Sequence, residues 1–296
     1  MMGVIAAIGA AICWSAAGLL IKPVSTRFSS LSINSIRVLA GWTFLMIFLS
    51  PLGKVVEMGS VPASSVAYLM GSGVIGLAIG STLFIRSLSL TNITRVYPVT
   101  YSLWLLGTVA IAGIFLGEVI TSFTILGAIL IVSGIVLLAR PSGKQQVANT
   151  GAGTSQGMGG IALAIGAGMC WAAGSTLIKL GLSGISPLVV NMIRLPVVAL
   201  ILVVIVVRRE GRASFSSYDW KSLLLTSGTG ILEQSIGSVL WFISIELIGI
   251  AKATILANTS PLFVIPFAII VLKEKVTLRV ILGTVFCVAG IWLTVL

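Results

Sequence analysis

Apolar residues come in long blocks of about twenty, the length that crosses a bilayer as a helix, and each block ends at a polar or chain-breaking cluster. The blocks predict spans over residues 3–21, 31–50, 63–87, 93–115, 120–139, 158–178, 187–207, 219–244, 250–272 and 277–295. Lys22-Pro23, Ser50-Pro51-Leu52-Gly53, Ser186-Pro187 and the run 208–212 mark joints between them. Short segments of alternating polarity, the mark of a membrane β-barrel, are missing from the pattern. Residues 141–157 are rich in Gly, Ser, Gln, Thr and Asn and read as a flexible linker.

The pattern is written twice. Cys13-Trp14 returns as Cys170-Trp171, a spacing of 157 residues, and at the same spacing Lys22 returns as Lys179, Asn34 as Asn191, Arg37 as Arg194 and Gly80-Ser81 as Gly237-Ser238. One residue drops out near position 110; from there Glu118 matches Glu274 and Gly134 matches Gly290 at a spacing of 156. The copies occupy 1–140 and 158–296, with five predicted spans each. Five is odd, so the chain enters the second copy from the opposite face of the membrane. The predicted fold is all-α and integral to the membrane: ten transmembrane helices as two inverted five-helix repeats around a central cavity. Secondary transporters use this plan, with a binding site near the midplane where the copies meet and alternating access as one copy rocks on the other.

Composition removes other classes. Charged residues are 8% of the chain and apolar ones 57%, whereas soluble domains carry about 25% charged residues. The net charge of +11 does not point to nucleic acid, because the bases sit between apolar spans. Thirteen basic residues fall in loops on one side of the predicted topology against three on the other. By the positive-inside rule both termini lie outside. The three cysteines, Cys13, Cys170 and Cys287, lie in apolar spans without a CxxC pair, and there is no histidine, so neither a disulfide framework nor a metal site is expected. The first apolar run starts at Gly3 without a basic lead and does not read as a signal peptide. No phosphate-binding GxxxxGK[ST] loop occurs, so ATP-driven transport is not expected, nor any cofactor. A membrane enzyme would have few catalytic parts, and a channel would need a continuous polar path.

Several motifs, in order and twice, carry a family resemblance. They are Cys13-Trp14-Ser15-Ala16 and Cys170-Trp171-Ala172-Ala173, Arg37 and Arg194, Ser260-Pro261, Gly117-Glu118-Val119 and Lys273-Glu274-Lys275, and the glycines Gly127, Gly134, Gly283 and Gly290. The whole chain thereby resembles the EamA-type permeases of the drug/metabolite transporter superfamily. The resemblance implies a ten-helix fold with a central cavity, a bacterial or archaeal plasma membrane, and export or uptake of amino acids or other small metabolites. Many members keep both termini in the cytoplasm, opposite to the charge count above. Small multidrug resistance proteins resemble half of this design and suggest lipophilic-cation efflux as the alternative, although the first helix here has no carboxylate. A monomer or homodimer among lipids is expected, with a small molecule as the only substrate.

The candidate chemistry is sparse. Glu233 is the one acidic residue deep inside a predicted span, in Thr229-Gly230-Ile231-Leu232-Glu233-Gln234-Ser235. A bare carboxylate in hydrocarbon costs several kcal/mol or takes a proton, which suits proton coupling or an amine ligand. Its partner in the first copy is Gly76, so the expected site is asymmetric. Trp14 and Trp171 sit mid-span, away from the interfacial belts. Tyr97, Tyr101 and Trp104 form a second aromatic set with Trp241, and Tyr97 and Tyr101, four apart, share a helix face. Trp14, Trp171, Tyr97, Tyr101, Trp241, Glu233, Gln234 and Asn258 are the expected cavity lining; close packing is the alternative role for Trp14 and Trp171. Helix counting places Arg37 on one side with Glu274 and Arg194 on the other with Glu118, so two cross-copy gating pairs are topologically open; arginines reaching headgroups are the alternative.

Overall fold

The computed structural model describes residues 1–139, 154–182, 184–260, 262–264 and 278–295, and every described regular element is a helix. In chain order α1 is Met2–Ser25, α2 Ser30–Leu49, α3 Ala63–Leu90, α4 Ile93–Phe115 and α5 Ser122–Ala139. The second copy gives α6 Thr154–Gly181, α7 Pro187–Arg209, α8 Trp220–Ile248, α9 Ile250–Ala257 and α10 Leu278–Val295. Seven described helices (α1 to α4 and α6 to α8) are long and apolar enough to cross a membrane. Their outward faces carry exposed Ile5, Ile12, Leu20, Ile47 and Leu200, a surface suited to lipid rather than water. The span expected over 250–272 begins as α9 but turns at Asn258 and Thr259; beyond residue 264 it lies outside the described residues, as does Glu274.

Helix ends follow from local chemistry. Ser29 caps α2 by accepting from the Ser32 N–H at 3.1 Å, and Asp219 caps α8 by accepting from the Ser222 N–H at 3.3 Å. Gly249, at φ 80°, breaks the chain between α8 and α9 in a conformation that only glycine adopts readily.

Two helices depart from regular α geometry in the middle. Gly73–Ser81 of α3 and Ile231–Gly237 of α8 wind as π-helix, at equivalent places in the two copies. A π turn breaks the usual ladder and leaves a carbonyl to satisfy, which buried backbone cannot forgo cheaply. Equivalent asparagines supply the donors: Asn34 Nδ2 donates to the Leu77 carbonyl at 2.8 Å, and Asn191 Nδ2 donates to the Gln234 carbonyl.

Contacts between the copies come in exchanged pairs. A Cβ on Gly80 would stand 2.9 Å from Trp171, and a Cβ on Gly237 would stand 2.7 Å from Trp14. Gly73 backs onto Arg194, and Gly230 backs onto Arg37. On α5 and α10, Gly134 faces Gly283 and Cys287 while Gly290 faces Gly127 and Ile131. Equivalent positions of the two copies thus exchange contacts in both directions.

The ends of the bundle are closed by different groups. At one end the loop after α1 meets the loop before α8: Arg27 pairs with Asp219 at 3.2 Å, Ser29 Oγ donates to Glu210 at 2.7 Å, and Phe28 stacks on Tyr218 at 3.9 Å. Burial, with Glu210 nearby, pushes the Tyr218 phenol up to about 12 against the opposing Ser32 hydrogen bond. Hydrogen bonds from Ser222, aided by Arg27, hold Asp219 below the usual carboxylate range. At the other end Gly3 packs against Leu247 and Ile248. Nearby, Glu118 accepts from the Ile250 and Ala251 N–H groups at 2.8 and 2.9 Å, and Lys179 sits 3.4 Å from the same carboxylate. A carboxylate from the first copy thus caps a helix of the second.

Candidate functional site

Between the copies lies a small cavity of about 70 Å³. Six of its sixteen lining residues are aromatic: Trp14 of α1, Tyr101 and Trp104 of α4, Trp171 of α6, and Trp241 and Phe242 of α8. The rings touch in a chain: Trp14 to Trp104 at 5.4 Å, Trp104 to Trp241 at 5.5 Å, Trp104 to Trp171 at 5.9 Å and Tyr101 to Trp171 at 5.6 Å. Edge-to-face geometry at such distances stabilises ring pairs beyond their buried area. The two π segments bring Gly76, Leu77 and Ser81 to one wall and Glu233, Gln234 and Ser238 to another.

Hydrogen bonds lock the frame. Trp104 Nε1 donates to Ser175 Oγ at 2.8 Å, and Trp14 Nε1 donates to the Glu233 carbonyl at 3.3 Å. Ser238 Oγ donates to that same carbonyl at 2.8 Å, five residues back across the π segment. Ser15 Oγ donates to the Ser260 carbonyl at 2.8 Å and ties α1 to the chain following α9.

The charged groups differ from the pairs expected. Glu233 is not a bare carboxylate, because Arg37 of α2 forms an ion pair with it. Arg37 is 1% exposed and Glu233 16%, so the guanidinium is sealed and the carboxylate edges into the cavity. Gln234 Nε2 adds a bond to Glu233 at 3.2 Å. The pairing proposed for Arg37 with Glu274 involves a residue outside the described set. The pairing of Arg194 with Glu118 is not formed: Glu118 is engaged by Lys179 and the start of α9. Arg194 instead turns inward, lines the cavity, and donates to Asn191 Oδ1 at 2.8 Å. Counting helices fixes only which end an arginine starts from, and not where its long side chain goes.

Of the residues proposed as lining, Trp14, Trp171, Tyr101, Glu233, Gln234 and Trp241 meet at the cavity. Tyr97 stands one layer behind, stacked on Tyr101 at 4.9 Å with its hydroxyl donating to the Trp14 carbonyl at 3.3 Å. Asn258 is buried, donates to the Thr254 carbonyl at 3.0 Å, and is absent from the wall. Arg194, Ser175 and Ser238 were missed as lining. Only Arg194 left a trace in the sequence, as the repeat partner of Arg37.

Comparison with known proteins decides the family. The sequence model of the EamA-like transporter family matches residues 1–140 and 158–296. The chain belongs to the EamA-like transporter family. It is thus part of the drug/metabolite transporter superfamily and integral to the membrane. An uncharacterized transporter of Clostridium kluyveri is 25% identical over 185 residues, 62% of this chain. The match spans 57% of that relative's length. A crystal structure of another protein superposes with TM-score 0.76 over 98% of this chain and 95% of its own; at 16% identity the likeness is one of fold alone.

Proposed function

We propose that this EamA-like protein is a secondary transporter that exports small organic metabolites, amino acids or related compounds, by alternating access of the aromatic cavity. The observation that carries the reading is the position of that cavity. Its walls come from both copies, with the equivalent helices α1 and α6 and the π segments of α3 and α8 all contributing.

The inverted ten-helix plan is part of the proposal. The loop after α1 sits with the loop before α8, whereas in parallel copies it would sit with the loop after α6. Glu118, after α4, sits with the end of α6 and the start of α9, on the face to which an inverted count assigns all three. Rocking of one copy on the other would open one closure and keep the other. Glu233 is the coupling group. Protonating it would release Arg37 inside the membrane, so proton occupancy and the conformation of α2 against α8 become linked.

The test is uptake of a labelled metabolite panel into liposomes holding the purified protein, with and without a pH gradient. Saturable flux that the gradient accelerates is expected, and Glu233→Gln should remove the acceleration. Non-saturable flux would indicate a channel, and chemical turnover of a solute an enzyme. The aromatic box also suits a lipophilic cation, but Arg37 and Arg194 outnumber Glu233 around it and disfavour that cargo.

A further inference from the structure

We propose that Arg194 is the seat for a carboxylate on the transported solute, so that the substrates are small acids or amino acids with an apolar or aromatic body. The inference deepens the transport reading and rests on it. Arg37 and Arg194 hold equivalent positions in the two copies, yet among the described residues only Arg37 is paired with a carboxylate. The place that Glu233 fills beside Arg37 is occupied by Gly76 beside Arg194. A Cβ on Gly76 would lie 3.9 Å from Arg194 Nη2, at ordinary contact distance, and both residues line the cavity where a carboxylate can approach.

Arg194 is 3% exposed and lines the cavity. Its described contacts are one bond to Asn191 and the face of the Phe242 ring at 5.5 Å, and its Nε has no partner. No described carboxylate pairs with it: Glu57, Glu118 and Asp219 pair with Lys54, Lys179 and Arg27, Glu210 takes Ser29, and Glu246 is exposed. A buried cation without a counter-charge is costly, and an arriving anion removes that cost. Guanidinium matches a carboxylate in shape and donates two parallel bonds. Glu233 on the same wall is already paired with Arg37, so the one described cation left there is Arg194; a single positive charge beside four indoles suits a monoanion better than a doubly charged phosphate, and the rings accept the rest of the solute.

The test uses the full chain in liposomes and matched radiolabelled pairs: leucine with leucinamide, phenylacetate with phenylacetamide, and tetraphenylphosphonium as the cation. Acids should exceed their amides by about 10- to 100-fold in apparent affinity, the scale of a hydrogen bond to a charged group. Arg194→Gln should bring each acid down to its amide, and Arg194→Lys should restore part of the preference. Gly76→Asp is the decisive variant, because its Cβ meets only ordinary contacts, Gly174 Cα at 3.8 Å and Arg194 Nη2 at 3.9 Å. It supplies the missing carboxylate from within. It should abolish acid transport while raising the melting temperature, a combination that damage to the fold would not produce. Saturable flux with acids and amides carried alike, or with acid preference surviving in Gly76→Asp, would overturn the assignment and leave the transport reading standing. No saturable flux of any probe would overturn both.

Discussion

The two arginine cradles share one frame and differ in one residue. Each arginine sits on the second helix of its copy, backed by a glycine of the other copy and next to a π segment pinned by an asparagine. In α8 that segment carries Glu233 and Gln234; in α3 the same places hold Gly76 and Leu77. The first cradle is thereby self-neutralised and the second is left electropositive toward the cavity. A duplicated scaffold can keep its packing twofold while its chemistry becomes one-sided, because packing needs small residues at crossings whereas charge needs a single side chain.

The largest expected effect breaks the comparison at its charged groups. Arg37→Leu strands Glu233 and should cost about 3–5 kcal/mol of stability, the usual penalty for halving a buried pair. Arg194→Leu strands no carboxylate and should cost clearly less, and Arg37→Leu with Glu233→Leu should recover much of the loss. Denaturation of the detergent-solubilised proteins compares the three. Equal penalties for the two single variants would remove the distinction between the cradles.

The next test asks whether packing is as symmetric as claimed. Gly80→Ala and Gly237→Ala press a Cβ to 2.9 Å from Trp171 and 2.7 Å from Trp14, and each should cost about 1–3 kcal/mol through overpacking. Matched losses in melting temperature support the two-fold relation. A smaller effect belongs to one end: Glu118→Gln weakens the cap on α9 and should cost about 0.5–2 kcal/mol. Amide exchange at Ile250 and Ala251 should quicken most. The smallest concerns the opposite end. Asp219 has a lowered pKa, so its contribution is present above the unfolded carboxylate value and is lost as pH falls through the folded one, below about pH 4. Asp219→Asn should remove that acid-side slope, and the effect should be slight because Arg27 and Asp219 are exposed.

Much of the architecture was legible because hydropathy and repetition are long-range patterns. Nine predicted spans coincide with described helices within a few residues, and α9 is described only over its first part. Trp14, Trp171, Tyr101 and Trp241 were found because aromatic residues amid small ones at mid-span stand out against lipid-facing aliphatics. The π segments were not legible: their glycines predict close approach but not the extra residue per turn. The pairing of Arg37 with Glu233 was hidden because the residues are 196 apart in sequence and reach each other through side-chain length rather than span count. Arg194 was assigned to an end for the same reason.

Sided labelling of Ser60 and Ser217 tests the inverted pair most directly. Both are exposed, both precede the third helix of their copy, and they lie one repeat of 157 residues apart. Each is replaced by cysteine in a chain whose Cys13, Cys170 and Cys287 are alanine, and intact cells are treated with a membrane-impermeant maleimide. The account predicts reaction at position 60 from outside and at position 217 only after the cells are opened, following the basic-loop rule. Reaction of both from the same side would contradict it.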